Sequence, residues 1–111
     1  CMRRVPGMAV IVLCGLSVAA QAAEVPEYRL TLKDHRFEPS ELAIPSDTRV
    51  RLVIRNEDAT HAEFESDDFD RETTIRAHSE ATVYVGPLDA GTYEFVDDYH
   101  EETAKGTLIV R

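Results

Sequence analysis

The stretch YEFVDDYHEETAKGTLIV, residues 93–110, decides how the whole chain is read. Over Thr92–Val96, apolar and polar residues alternate, which puts Tyr93 and Phe95 on one face of a strand. Asp97 continues that face. An acid-rich loop carrying His100 follows, and a second alternating run, Thr107–Val110, closes the chain. An inward carboxylate is costly to bury alone. Asp97 therefore calls for a partner, either a metal ion or an arginine.

The same period-two pattern extends outward from this stretch. In Tyr28–Lys33, Leu30 and Leu32 face one way while Arg29, Thr31 and Lys33 face the other. Thr48–Arg55 alternates Val50, Leu52 and Ile54 with arginines, and Glu80–Val85 turns Ala81, Val83 and Val85 inward. A short strand at Glu41–Ile44 lies between EPSE and PSDT, and GPLDAG bends the chain before Thr92. No segment carries a helical repeat. Short alternating strands punctuated by turns predict an all-β antiparallel sandwich or barrel.

Met2-Arg3-Arg4, the apolar run Val5–Ala20 and the small-x-small triplet Ala20-Gln21-Ala22 have the layout of a secretory leader. The expected organisation is a signal peptide over residues 1–23 and one domain over residues 24–111, cleaved and periplasmic. That domain holds 10 basic and 21 acidic residues, a net charge of −11. Such a charge repels phosphates and argues against nucleic acid as a partner. Both cysteines precede the expected cleavage site, so neither a thiol nor a disulfide supports the domain. The core must suffice, with or without help from a metal. The chain shows no Gly-x-Ser-x-Gly elbow and no phosphate loop, and no catalytic residue is assigned.

Four pieces stand in order: FEPSELAIPSDTRVRLVIRNEDATH, GPLDAGTYEF, DDYHEETAKG and TLIV. Together they resemble the cupredoxin family, whose fold is a Greek-key β-sandwich. EFES and HEETAKG add a narrower likeness to EfeO-type cupredoxin-like proteins found beside bacterial ferrous-iron uptake systems. Type 1 cupredoxins bind copper through two histidines, a cysteine and usually a methionine. Carried onto this chain, the late histidine is His100 and the cysteine position is Asp97. Thr103 and Lys105 surround the methionine position. The early histidine corresponds to His61, although strict spacing from Phe64 puts Ala62 in that slot. Without the thiolate, type 1 copper is not expected.

The resemblance gathers His61, Glu63, Asp97, Asp98 and His100 at one end of the sandwich, with Glu65 as a weaker candidate. Imidazole with carboxylates suits a divalent ion such as Fe(II) or Cu(II). The expected function is periplasmic metal binding in iron or copper uptake. The partners would be the metal ion itself and a membrane permease complex or a periplasmic metal-binding protein. The resemblance also implies a role in ferrous-iron oxidation, which the residues do not themselves show. The alternative is a metal-free interaction module that docks a basic protein through its acidic surface. His35 and His78, in turn-like sequence, are read as solvated, as are Asp67, Asp68 and Asp70. Tyr84, Tyr99 and Phe69 are read as packing residues.

Overall fold

The computed structural model describes residues 24–111, and the expected leader over residues 1–23 lies outside them. The described chain forms strands β1 (Glu27–Lys33), β2 (Arg36–Glu38), β3 (Glu41–Ile44), β4 (Val50–Asn56) and β5 (Ala62–Ser66). These are followed by β6 (Arg71–Ile75), β7 (Ser79–Val85), β8 (Gly91–Asp97) and β9 (Lys105–Val110). They build two sheets, ordered β2-β1-β4-β7 and β3-β9-β8-β5-β6. The all-β architecture expected from the alternation is present, as a sandwich of two sheets and with no helix among the described residues.

The expectation of purely antiparallel pairing needs correction. β1 pairs with β4 in parallel, and so does β3 with β9. The cause is the crossover. After the β1–β2 hairpin the chain passes to the other sheet as β3, then returns as β4 beside β1. A strand that reaches its neighbour by such a detour arrives in the same direction. The short strands β2 and β6 lack a long alternation and were not legible as strands; both lie at sheet edges.

The core forms where the inward faces meet. Leu30, Leu32, Leu52, Ile54, Val83 and Val85 come from the four-stranded sheet, and Ile44, Phe64, Ile75, Phe95, Leu108 and Val110 from the five-stranded one. The rings of Phe37 and Phe95 meet edge-on with centroids 5.1 Å apart, and Phe64 lies 5.4 Å from Phe95. Phe37 belongs to the Phe-x-Pro segment at β2. Gly106 pairs directly with Phe95 across β8 and β9. A methyl group at Gly106 would stand 2.6 Å from Phe95 Cε1 and 3.0 Å from Ser40 O, so the bare backbone is what admits the ring. The arginines of β4 point outward as expected: Arg51 bonds Glu27 at 2.7 Å, and Glu27 also receives Arg29 at 2.9 Å. These two guanidinium bonds, Arg51 first, hold the Glu27 carboxyl below its ordinary value.

Candidate functional site

β8 carries its alternation through to Asp97. Phe95 and Asp97 are each 1% exposed, so the inward face read from the sequence is the real one. The buried carboxylate finds partners within the chain, and none of them is an arginine. Asp97 Oδ1 accepts the backbone N–H of Glu63 at 3.0 Å and that of Tyr99 at 3.1 Å. Asp97 Oδ2 lies 3.2 Å from His100 Nδ1. Two amides and an imidazole thus replace the hydration lost on burial. The first amide ties β8 to β5, and the second starts the loop. The Asp98 N–H donates to Glu63 O at 2.8 Å, while Ala104 N–H donates to His100 O at 2.8 Å and closes the loop.

This geometry selects the state of the His100 ring. A carboxylate offers acceptors, so Nδ1 carries the proton that faces Asp97. In the neutral ring Nε2 then keeps its lone pair. An acid on one ring nitrogen and a free lone pair on the other is the arrangement of metal-binding histidines, in which the acid orients the ring and raises its basicity.

His35 was read as solvated; its side chain is 40% exposed, and the structure also places it against His100. Its ring stacks on His100 with centroids 3.7 Å apart and planes 15° from parallel. Its Nδ1 faces Asp58 Oδ2 at 3.4 Å. Asp58 also accepts the backbone N–H groups of Asp34 at 2.7 Å and His35 at 3.0 Å. Asn56 holds Asp58 in turn: its Oδ1 accepts the Asp58 N–H at 2.9 Å, and its Nδ2 donates to Thr60 O at 2.8 Å and Ile75 O at 3.1 Å. The one sequence signal for His35 was the two-residue turn between LTLK and RFE, which fixes the histidine at the end of a hairpin.

The other candidates are dispersed around this pair. β5 turns Ala62, Phe64 and Ser66 inward, so Ala62, which strict spacing put in the early-histidine slot, faces the core. His61 is exposed just before the strand, with its ring edge-on to Tyr99 at 5.3 Å. Glu63 is half-buried and contributes its amide to Asp97. Asp98 is exposed at the loop start, and Tyr99 is exposed rather than packed into the core. Glu65 is held above the ordinary carboxylate value, chiefly by loss of hydration and then by the like charge of Asp98. His78 is exposed in its turn, whereas Phe69 is buried as expected. Among the described residues, no three His, Cys, Asp or Glu side chains gather closely enough to enclose an ion.

The donor set does not fit type 1 copper. Residues 24–111 contain neither cysteine nor methionine, and Asp97, at the cysteine position, already spends its oxygens on two amides and His100. The open imidazole edges fit a borderline divalent ion instead.

Comparison with known proteins agrees with the architecture. A protein of Rickettsia prowazekii (strain Madrid E), "Uncharacterized protein RP394", is 42% identical over 84 residues, 76% of this chain and 67% of the relative. Among solved structures, the metal-binding domain of the Streptococcus pneumoniae D39 Cu(I)-exporting P-type ATPase CopA, determined with Cu(I), superposes with a TM-score of 0.69. It shares 14% identity, covering 77% of this chain and 84% of that domain. Auracyanin A, a "blue" copper protein from Chloroflexus aurantiacus, gives a TM-score of 0.68 at 14% identity over 79% of this chain and 100% of its own. At such identities these likenesses establish the fold, and the neighbours themselves are copper proteins. Residues 7–110 match the family described as "Cupredoxin-like domain", and the chain belongs to that family.

Proposed function

We propose that this protein is an exported, periplasmic metal-binding cupredoxin that serves iron or copper uptake without a type 1 copper centre. It binds Fe(II) or Cu(II) through His100, whose ring Asp97 orients, with the carboxylates of Asp98 and Glu63 and the His61 ring nearby, and passes the ion to a membrane permease complex or a periplasmic metal-binding partner. One observation carries the reading: the His100 ring is held through Nδ1 by a carboxylate that is 1% exposed, which leaves Nε2 as the open nitrogen at the end of the sandwich. Family membership and the copper chemistry of the structural neighbours support it. A bound divalent cation would act as the cargo. The work of the chain is to orient one imidazole, keep its proton on Nδ1 and surround the entrance with negative charge.

Titrating the full chain with Cu(II), Zn(II), Mn(II) and anaerobic Fe(II) tests this. One-to-one binding that His100→Ala abolishes is expected. Equal binding by the variant would refute the site.

A second reading has its own observation. An open acidic recess of about 320 Å³ is lined by Glu65, Asp67, Asp68, Glu94, Asp98 and Glu101, beside the loop rather than at the imidazoles. A chain that folds, binds no metal, and associates with a basic protein in a strongly salt-dependent way would favour the docking module.

A further inference from the structure

Building on the metal-binding reading above, we propose that His35 is the second imidazole ligand. The ion would be clamped between two sheets by His35 and His100, with Asp58 and Asp97 as their respective positioning residues.

The first support is what the turn costs. Asp34 and His35 link β1 to β2 as a two-residue turn, with φ of 53° and 57°. Two successive left-handed residues are the conformation that favours asparagine and glycine. A side chain is disfavoured in that region, and such outliers persist where surrounding groups enforce them. Asp58 does so here, since one carboxylate accepts both turn amides. Asn56, 0% exposed at the end of β4, fixes Asp58 through its backbone. A buried amide, a carboxylate and a strained turn thus hold one half-exposed ring over His100.

The second support is symmetry of function between the two rings. Each has an acid at Nδ1: Asp58 at 3.4 Å for His35 and Asp97 at 3.2 Å for His100. For His100 the hydrogen-bonded acid leaves Nε2 as the open nitrogen, and for His35 the acid lies on the Nδ1 side of the ring at ion-pair distance. The rings come from opposite layers of the sandwich, one from the β1–β2 turn and one from the β8–β9 loop. Neither strand alone could bring them together.

Geometry adds one requirement. Nitrogens on a common ion at a metal–nitrogen length of about 2.0–2.1 Å lie within roughly 4 Å of each other. Ring centroids 3.7 Å apart keep the two imidazoles close enough for their nitrogens to reach that separation once the rings reorient. Their planes are only 15° apart, so their in-plane lone pairs do not converge. One ring must turn to chelate. His35 is the freer of the two, with its side chain 40% exposed against 34% for His100 and the longer acid contact. Binding therefore breaks the stack by rotating His35, while His100 stays keyed to Asp97. Two neutral imidazoles with open positions select a borderline divalent transition-metal ion over magnesium or calcium.

The experiment uses the full chain and Zn(II) as a diamagnetic probe. Imidazole nitrogens are read by long-range ¹H–¹⁵N NMR, and affinity by calorimetry. Reading the imidazoles directly separates this site from the thiols of Cys1 and Cys14. Zn(II) is expected to move Nε2 of both His35 and His100. His35→Ala and His35→Asn, the latter suited to the left-handed turn, should each lose affinity at least tenfold while keeping the metal-free melting temperature. If Zn(II) moves His100 alone and both His35 variants bind as wild type, the clamp is overturned and the His100 reading stands. If neither ring responds, both fail.

Discussion

Asp97 is the residue on which fold and site meet, and two substitutions separate its roles. Asp97→Ala removes the acceptor from the Glu63 and Tyr99 amides, bonded at 3.0 and 3.1 Å, and from His100 Nδ1 at 3.2 Å. An amide stripped of its buried partner costs about 1–3 kcal/mol, and these two lie at the partly buried, lower end of that range. The sum is roughly 2–4 kcal/mol, a large share of the ~5–15 kcal/mol that holds a domain of this kind together. At about 4–8 °C per kcal/mol for a small domain, the melting temperature should fall by more than 8 °C. Asp97→Asn behaves differently. Its oxygen can still accept both amides, so the melting temperature should stay within a few degrees of wild type. Its NH₂ now faces His100 Nδ1 and drives the proton to Nε2, closing the metal-binding nitrogen. Metal affinity should then fall about 10–100-fold, the usual effect of losing an acid that orients a ligand. Thermal unfolding and calorimetric titration of both variants provide the assay. An Asn variant that binds metal as tightly as wild type would refute the tautomer argument. An Ala variant as stable as wild type would refute the account of how Asp97 is buried.

Three further outcomes follow from the packing and the charges. Gly106→Ala forces a methyl group into Phe95 and Ser40 O within a closed aromatic cluster, and should destabilise by about 1–3 kcal/mol in denaturant unfolding. Gly106→Ala combined with Phe95→Leu should recover part of that loss. Asn56→Ala strips donors from three carbonyls, those of Thr60, Ile75 and Arg76, and an acceptor from Asp58 N–H. It should cost about 2–4 kcal/mol and release His35 from its stack, seen as a sharper, solvent-like imidazole signal. Glu65 is raised in the folded chain, so the fold binds its proton more tightly than the unfolded chain does. Its charge therefore lowers stability above that raised value, and the penalty disappears as pH falls below the ordinary carboxylate range. Glu65→Gln should melt higher than wild type at pH 7 and equal to it at about pH 3. A gain that persists unchanged in acid would remove titration as its cause.

The sequence by itself determined an all-β sandwich or barrel, because period-two alternation marks one face of each strand for burial. Leu30 and Leu32, then Val50, Leu52 and Ile54, then Phe95 and Asp97 turned the way their spacing required, while Val53 is buried on the opposite face of β4. It also determined that Asp97 is inward, whereas the register of His61 stayed open until β5 turned Ala62, Phe64 and Ser66 to the core. These are local properties, decided by which neighbours alternate. Tertiary structure alone decided what Asp97 bonds to, since Glu63 N–H lies 34 positions away in the chain and no pattern marks a backbone amide as a partner. It alone decided that the sheets contain parallel pairs, since that depends on the route of the crossover. It alone brought His35 to His100. A lone histidine in a turn has no period to read, and its meaning comes from a loop 65 positions later that packs against it only once two sheets have closed on one core.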